Sequence, residues 1–444
     1  MKIRIAKVTH RKIIIFLSVI IAIITSIYFT YYKYTNKTVV LEFGTFVGSM
    51  YDVPEWQSYK ALDEAIHKFE KANPHIKVKY KSGILKTDYS EQLSQRILKG
   101  TEPDLFCVLP GDFNTFASIG ELKNLNNLIK NDKTLNLSKQ YGTAIKSGEY
   151  RGSQYAIAKE VDPELMFVNK TLLKKQGIKL PSVNWTWDDF YKICDEVTID
   201  KNKDGKIDQF GTVGFDWKQA VYTNGQKLFD ENGNKAIFDN EGVSEAIKFI
   251  IKLNKLNQNY IVSLKDFDDG NVAFKPFPFS TYRAYNVYPY KVIKYGQFEW
   301  ECIKLPKGPD GENAGQLNSL LMGIGSRTKH EKESWKFLKF LTNDKDVQLD
   351  VFKYSHGMPV LKDVVESKET DKELSKYNSK GKKFIDRKIL SEVVEQSIVT
   401  PSFHKYEASM DIADKDIFQL INSGGDVQET LRKLNYKLNT YLKP

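Results

Sequence analysis

The sequence predicts an α/β fold, in an organisation that two lobes exchanging strands through short crossovers would fit. Three observations carry this: strand and helix patterns alternate from Thr38 onward, no internal repeat occurs, and no low-complexity linker separates independent domains. Val39–Phe46 reads as a first strand. Ser58–Glu70 places Tyr59, Leu62, Ile66 and Phe69 on one helical face. Asn73-Pro74 ends that helix, and Ile76–Tyr80 alternates as a half-buried strand does. Tyr89–Lys99 is amphipathic, with Gly100 where a C-terminal cap belongs. Leu105–Leu109 is wholly apolar, the mark of a buried parallel strand.

Later elements follow the same logic. Thr186-Trp187-Asp188-Asp189 is a capping box opening a helix through Val197. Gly211–Phe215 reads as a strand and Gln219–Leu228 as a helix. Gly242–Leu256, Glu331–Leu341 and Asp426–Leu442 each carry an apolar stripe at helical spacing. Lys362–Lys388 is dense in Lys, Glu, Asp and Ser and reads as solvated helices and turns.

The 444 residues suffice for two or three cores. The net charge of +10 is not the mark of a nucleic-acid binder, because Lys2, Arg4, Lys7, Arg11 and Lys12 carry half of it. They precede Ile13–Tyr32, an uncharged run of twenty residues, enough to span a bilayer as a helix. Basic residues on that flank place it in the cytoplasm and the remainder outside. Bulky Tyr28, Phe29, Tyr31 and Tyr32 follow where a cleavage site wants small residues, so an uncleaved signal anchor fits better than a cleaved signal peptide. Cys107, Cys194 and Cys302 are odd in number and show no metal-ligand spacing, which reads as buried free thiols.

Seven stretches, in order and spacing, resemble the family 1 extracellular solute-binding proteins, the maltose-binding-protein-like receptors of ABC importers. They are WQSYKALDEAIHKFEKANPHIKVKY from Trp56, EPDLFCVLPGDFNTFASIGEL from Glu102, YRGSQYAIAKEVDPELMFVNKTLLKKQGI from Tyr150, WTWDDF from Trp185, GNVAF from Gly270, WKFLKFLT from Trp335 and HGMPV from His356. Three positions depart from the pattern. No lipoprotein cysteine follows the apolar run, Val168 stands where Tyr is usual, and Ala158 where Pro is usual.

The resemblance implies a periplasmic-binding-protein-like fold with interlobe crossing strands, preceded by one transmembrane or signal helix. The lobes are drawn as 38–158 with about 287–345, and 159–286 with about 346–444. It also implies a receptor, not an enzyme, that presents a carbohydrate to permease subunits at the outer face of the membrane. Asp162 falls in the crossing segment at the position of a family carboxylate, and Asp112 in a ligand-contacting loop, where it is equally well a helix N-cap. Tyr282 and Tyr285 follow GNVAF, where the family places a stacking aromatic. Trp56 is placed at the cleft mouth and Ser319 where the chain returns to the cleft. Asp216 and Trp217 lie on a strand-to-helix loop, where the aromatic either stacks a ring or packs beneath the loop.

Asp200, Asn202, Asp204, the Lys206 carbonyl and Asp208 reproduce the first nine positions of a calcium loop, with Gly205 at the sixth. Position twelve is Gly211, so Gln209 or a distant acid is enlisted for the missing oxygens; an Asp/Asn/Gly-rich turn is the other reading. No further cofactor is required. Two other functions stay open: a receptor reporting to a membrane sensor kinase, and a secreted glycosidase with paired carboxylates. HExxH, GxSxG and GxxxxGK[ST] are absent from the chain.

Overall fold

The computed structural model describes residues 15–26, 38–53, 59–258, 260–285, 298–375 and 385–443. Its organising element is a single long strand. The strands in chain order are β1 (Val39–Gly44), β2 (Ile76–Tyr80), β3 (Leu105–Val108), the hairpin β4 (Glu149–Tyr150) and β5 (Ser153–Gln154), then β6 (Ala156–Asn169). They continue with β7 (Phe210–Thr212), β8 (Val272–Pro278), β9 (Trp300–Ile303), β10 (Leu317–Ile324) and β11 (Met358–Pro359). The main sheet runs β2-β1-β3-β10-β6-β8-β7, and β9 and β11 also pair with β6.

β6 is buried at every position except Glu164, which is half-buried. Its fourteen residues span roughly 46 Å at the usual rise of a strand. The first half pairs antiparallel with β10, Asn318 opposite Asp162, and with β11. The second half, from Glu164, pairs with β8 and β9. One strand therefore belongs to both lobes, the crossing that the fold class called for.

The first lobe packs the helices Lys60–Ala72, Lys86–Leu98, Pro110–Ser118 and Glu331–Asn343 around β1, β2, β3 and β10. Phe43, Phe69, Phe106 and Phe337 lie in this core. The second lobe packs Trp187–Val197, Trp217–Thr223, Glu241–Lys255, Tyr406–Ser423 and Val427–Leu442 on one face of β6, β8 and β7. Local signals placed these helices well. Thr186 and Asp189 form the expected capping box, and Asp426 caps the last helix by accepting from the Glu429 N–H.

The lobe boundaries read from the sequence are redrawn. β9 pairs with Met166–Asn169, which puts 300–303 in the second lobe. The helices Lys345–Tyr354 and Arg387–Gln396 pack on Lys60–Ala72 and Gly142–Lys146, which puts them in the first. Amphipathic spacing states which face a helix buries but not against which partner.

Residues 15–26 form a helix with exposed apolar side chains, among them Phe16 and Ile21. No helix among the described residues is long and apolar enough to cross a membrane. The remainder of the Ile13–Tyr32 run lies outside the described residues.

Candidate functional site

Side chains two apart on a strand share a face, and β6 carries Glu160, Asp162 and Glu164 at that spacing where it crosses between lobes. Each is held by a different part of the chain. Ser280 donates its backbone N–H to Asp162 Oδ1 at 2.8 Å and its hydroxyl to Oδ2 at 2.6 Å. Ser280 is the second residue of the helix Phe279–Tyr285, so Asp162 serves that helix as an N-cap side chain would. Burial pushes the Asp162 carboxyl up to about 7; the Ser280 hydrogen bonds pull it down, and Glu160 and Glu164 push it further up.

Glu164 accepts from the Gln219 amide at 3.2 Å and from the Gln316 N–H at 3.2 Å. Burial again dominates and pushes its carboxyl up to about 7. Gln219 also accepts from the Asp216 N–H, so the crossing strand is wired to the start of the helix Trp217–Thr223. Glycine is required beside this junction, because a Cβ at Gly315 would lie 2.2 Å from Glu164 Oε2. Glu160 Oε2 accepts from the Ser355 hydroxyl. Tyr51 Oη is buried beside Glu160 and Asp162 with no hydrogen-bond partner among the described residues.

Three hollows adjoin the crossing. One of about 50 Å³ is lined by Thr45, Lys159, Glu160 and Tyr354. A second, about 100 Å³, sits past the carboxyl end of β3 between Asn114 and Ser319 of one lobe and Tyr406 and Glu407 of the other. Ser319 Oγ and Asn114 Oδ1 are buried there without partners among the described residues. The third, about 410 Å³, shares the wall Val399–Ser402 and lies between Thr143–Gly152 and Tyr222–Asn232. Ligands of open α/β sheets bind outside the carboxyl ends of the strands, and polar groups from both lobes converge at that level here.

Residues 54–348 match the model of the bacterial extracellular solute-binding protein family. The chain belongs to that family. Among relatives of this solute-binding protein, the multiple sugar-binding protein of Streptococcus mutans is 26% identical over 309 residues, covering 65% of this chain and 69% of the relative. The arabinooligosaccharide-binding protein of Halalkalibacterium halodurans is 29% identical over 147 residues, 30% of this chain and 31% of that one. Two solved structures share the fold. The cyclic alpha-maltosyl-1,6-maltose binding protein of Arthrobacter globiformis superposes with a TM-score of 0.75 at 15% identity, covering 91% of this chain and 99% of its own. The sugar-binding protein MalE of Xanthomonas citri gives 0.72 at 17%, covering 91% and 97%.

The residues singled out from the sequence scatter into different roles in this solute-binding protein. Asp162 stands at the crossing, but both its oxygens are taken by Ser280. Asp112 lies in the first turn of Pro110–Ser118, whose N-cap is Leu109, so the capping role is not its own. It accepts from Ser90 Oγ, keeps a buried second oxygen without a partner among the described residues, and is raised in pKa by burial. Asp216 caps Trp217–Thr223 through the N–H groups of Lys218 and Gln219. Trp217 packs beneath that loop, 5% exposed, its indole N–H on Asp414 at 2.9 Å. Tyr282 is buried in the core against Phe279 and Trp300, so its face is not offered to a ligand. Ser319 does face a hollow. Trp56 and the side chain of Tyr285 lie outside the described residues.

Sequence reasoning passed over Glu160, Glu164, Lys159, Tyr51 and Ser280. The alternation of acids through Lys159-Glu160-Val161-Asp162-Pro163-Glu164 was a usable signal for the first two, since a half-apolar strand seldom spends its inner face on carboxylates.

The Asp200–Asp208 loop turns its acids onto its own backbone. Asp200 accepts from the N–H groups of Lys203 and Gly205 at 2.7 Å each, Asn202 from Asp204, Asp204 from Lys206, and Asp208 from Lys201. Gln209 points its amide to the Val197 carbonyl at 2.7 Å, away from the loop. Among the described residues no group of three or more His, Cys, Asp or Glu stands where it could share a metal ion. In this arrangement the loop's side-chain oxygens act as Asx turns on its own backbone.

Proposed function

We propose that this protein is the substrate-receiving component of an ABC importer and that it binds a saccharide of more than one ring between its lobes. The observation that carries the reading is the crossing itself. Glu160, Asp162 and Glu164 line one face of a strand shared by both lobes, with Asn114, Ser319, Tyr406 and Glu407 around the adjoining hollow. Carboxylates, amides and hydroxyls are the groups that pair with vicinal sugar hydroxyls, and the names of its sugar-binding relatives support the same class.

The hollows of about 50 and 100 Å³ fall below the roughly 300–1,000 Å³ of a typical small-molecule site. The third hollow, about 410 Å³, falls within that range, so a saccharide reaching from it to the crossing needs the lobes to part and re-close only over the two smaller hollows. A ligand touching both lobes favours the closed arrangement, and that difference is what a permease can read.

A tether at the outer face of the membrane through Ile13–Tyr32 completes the reading, supported by the uncharged run and the basic residues before it. Alkaline carbonate extraction of membranes separates the cases: a tethered chain stays in the pellet, and recovery in the supernatant ends that part of the proposal.

The deciding experiment is a thermal-shift screen against mono- and oligosaccharides. A ligand at a hundred times its Kd adds about 2.7 kcal/mol of stability, readily seen as a raised midpoint. A response confined to one saccharide class supports the receptor and names its solute. Turnover of any of them would instead make the protein an enzyme.

A further inference from the structure

Lys159 sits at the floor of the crossing, on the strand shared by the lobes. β6 and β10 lose register between Leu320 and Leu321, where Leu320 faces Glu160 and Leu321 faces Ala158. Lys159 is the extra residue of that irregularity. It is 9% exposed and lines the 50 Å³ hollow with Thr45, Glu160 and Tyr354. Among the described residues its ammonium has no hydrogen bond and no acid within ion-pair distance; Glu160 next to it accepts from Ser355 instead.

An ammonium group facing a small hollow offers a charged donor to an anion that enters it. A second lysine, Lys60, stands close to the hollow. Lys60 Nζ lies 4.7 Å over the ring of Tyr354, which lines the hollow, and Lys86 Nζ, ion-paired with Asp52 at 2.7 Å, also donates to the carbonyl of Met50 on its wall. Tyr51 Oη, a buried donor with no partner among the described residues, lies beside Glu160. A volume near 50 Å³ holds a substituent, not a sugar ring.

We propose that this hollow receives the carboxylate of an acidic saccharide, with Lys159 Nζ as its counter-ion, so that the solute is an oligosaccharide containing uronate. This rests on the saccharide reading above and narrows it. A singly charged, planar carboxylate suits the site better than a phosphate, because Glu160 and Asp162 nearby repel a dianion.

The test is calorimetric titration of the protein at neutral pH with galacturonate, glucuronate and mannuronate oligosaccharides and with their neutral parents of equal length. One uronate should bind tenfold or more tightly than its neutral parent. Lys159→Met should weaken that uronate by about tenfold or more, the effect of losing one charged hydrogen-bond partner. Its unliganded thermal midpoint should hold, since Lys159 Nζ makes no hydrogen bond or ion pair among the described residues that the substitution would break. Tyr51→Phe gives a second, milder readout in the same direction. A neutral oligosaccharide binding as tightly as every uronate overturns this inference and leaves the receptor reading intact. Binding of no saccharide at all overturns both.

Discussion

Ser280 gives Asp162 both of its hydrogen bonds, the backbone N–H at 2.8 Å and the hydroxyl at 2.6 Å, at the point where the strand shared by the lobes meets the helix Phe279–Tyr285. The contact joins residues 118 apart in sequence and fixes how the second lobe leaves the crossing. Asp162→Ala should therefore destabilise the protein by about 1–3 kcal/mol, because it leaves a buried N–H unsatisfied. Ser280→Ala keeps that N–H paired and should cost about 1 kcal/mol. Urea unfolding of the two variants checks the order; equal and negligible costs would show that Asp162 does not cap this helix.

Asp162 and Glu164 are both held near 7, against ordinary values of 3.8 and 4.5, chiefly by burial. A raised folded-state pKa contributes stability that is complete below the unfolded value and lost as pH rises through the folded one. From these two groups stability should fall between about pH 4 and pH 7 and level off above. Asp132, Glu70 and Glu102 act oppositely: their carboxyls are held down by Lys339, Lys77 and Arg327 against the opposing effect of burial. They withdraw stability as pH drops below the ordinary carboxylate range. The thermal midpoint should accordingly rise as pH is lowered from 8 to about 5.5. The Asp162→Asn, Glu164→Gln double variant should flatten that slope, and an unchanged slope would assign the pH dependence elsewhere.

The local signals were legible in the sequence, and the long-range ones were not. Thr186 and Asp189 announced their capping box, and Gly100 adopts the positive φ its place after a helix suggested. The crossing segment was found through its resemblance to the family, and Asp162 with it. Its role was not visible, because Ser280 reaches it through a pairing that no periodicity encodes. Trp217 illustrates the same limit. A Trp after a strand is equally a stacking platform or a wedge, and only Asp414, from a helix near the C-terminus, decides for the wedge. Helices 345–354 and 387–396 were assigned to the wrong lobe for the same reason: their apolar faces specify burial, not partner.

Tyr282 and Trp217 should behave as core residues. Tyr282→Ala removes a ring buried against Phe279 and Trp300 and should cost about 3–5 kcal/mol, the range for large aromatic truncations. Trp217→Phe keeps an aromatic ring but loses the N–H bond to Asp414 and part of the buried indole, at about 1–3 kcal/mol. In neither case should a surviving folded protein show a changed saccharide preference. A selective loss of affinity at unchanged stability would return that residue to the binding site.

Calcium should be dispensable. The Asp200–Asp208 loop reads like an ion-binding loop, yet its carboxylates already cap the backbone N–H groups of Lys203, Gly205, Lys206 and Lys201. The position that should supply a bidentate acid is Gly211, where a Cβ would lie 2.4 Å from Cys194 Cβ, so no acidic side chain fits without moving the helix Trp187–Val197. Calorimetric titration with millimolar calcium should show no binding heat, and a chelator should leave the thermal midpoint where it was. A midpoint that falls on chelation would mean that the loop opens its Asx turns to hold an ion, and Asp200→Ala should then abolish the difference.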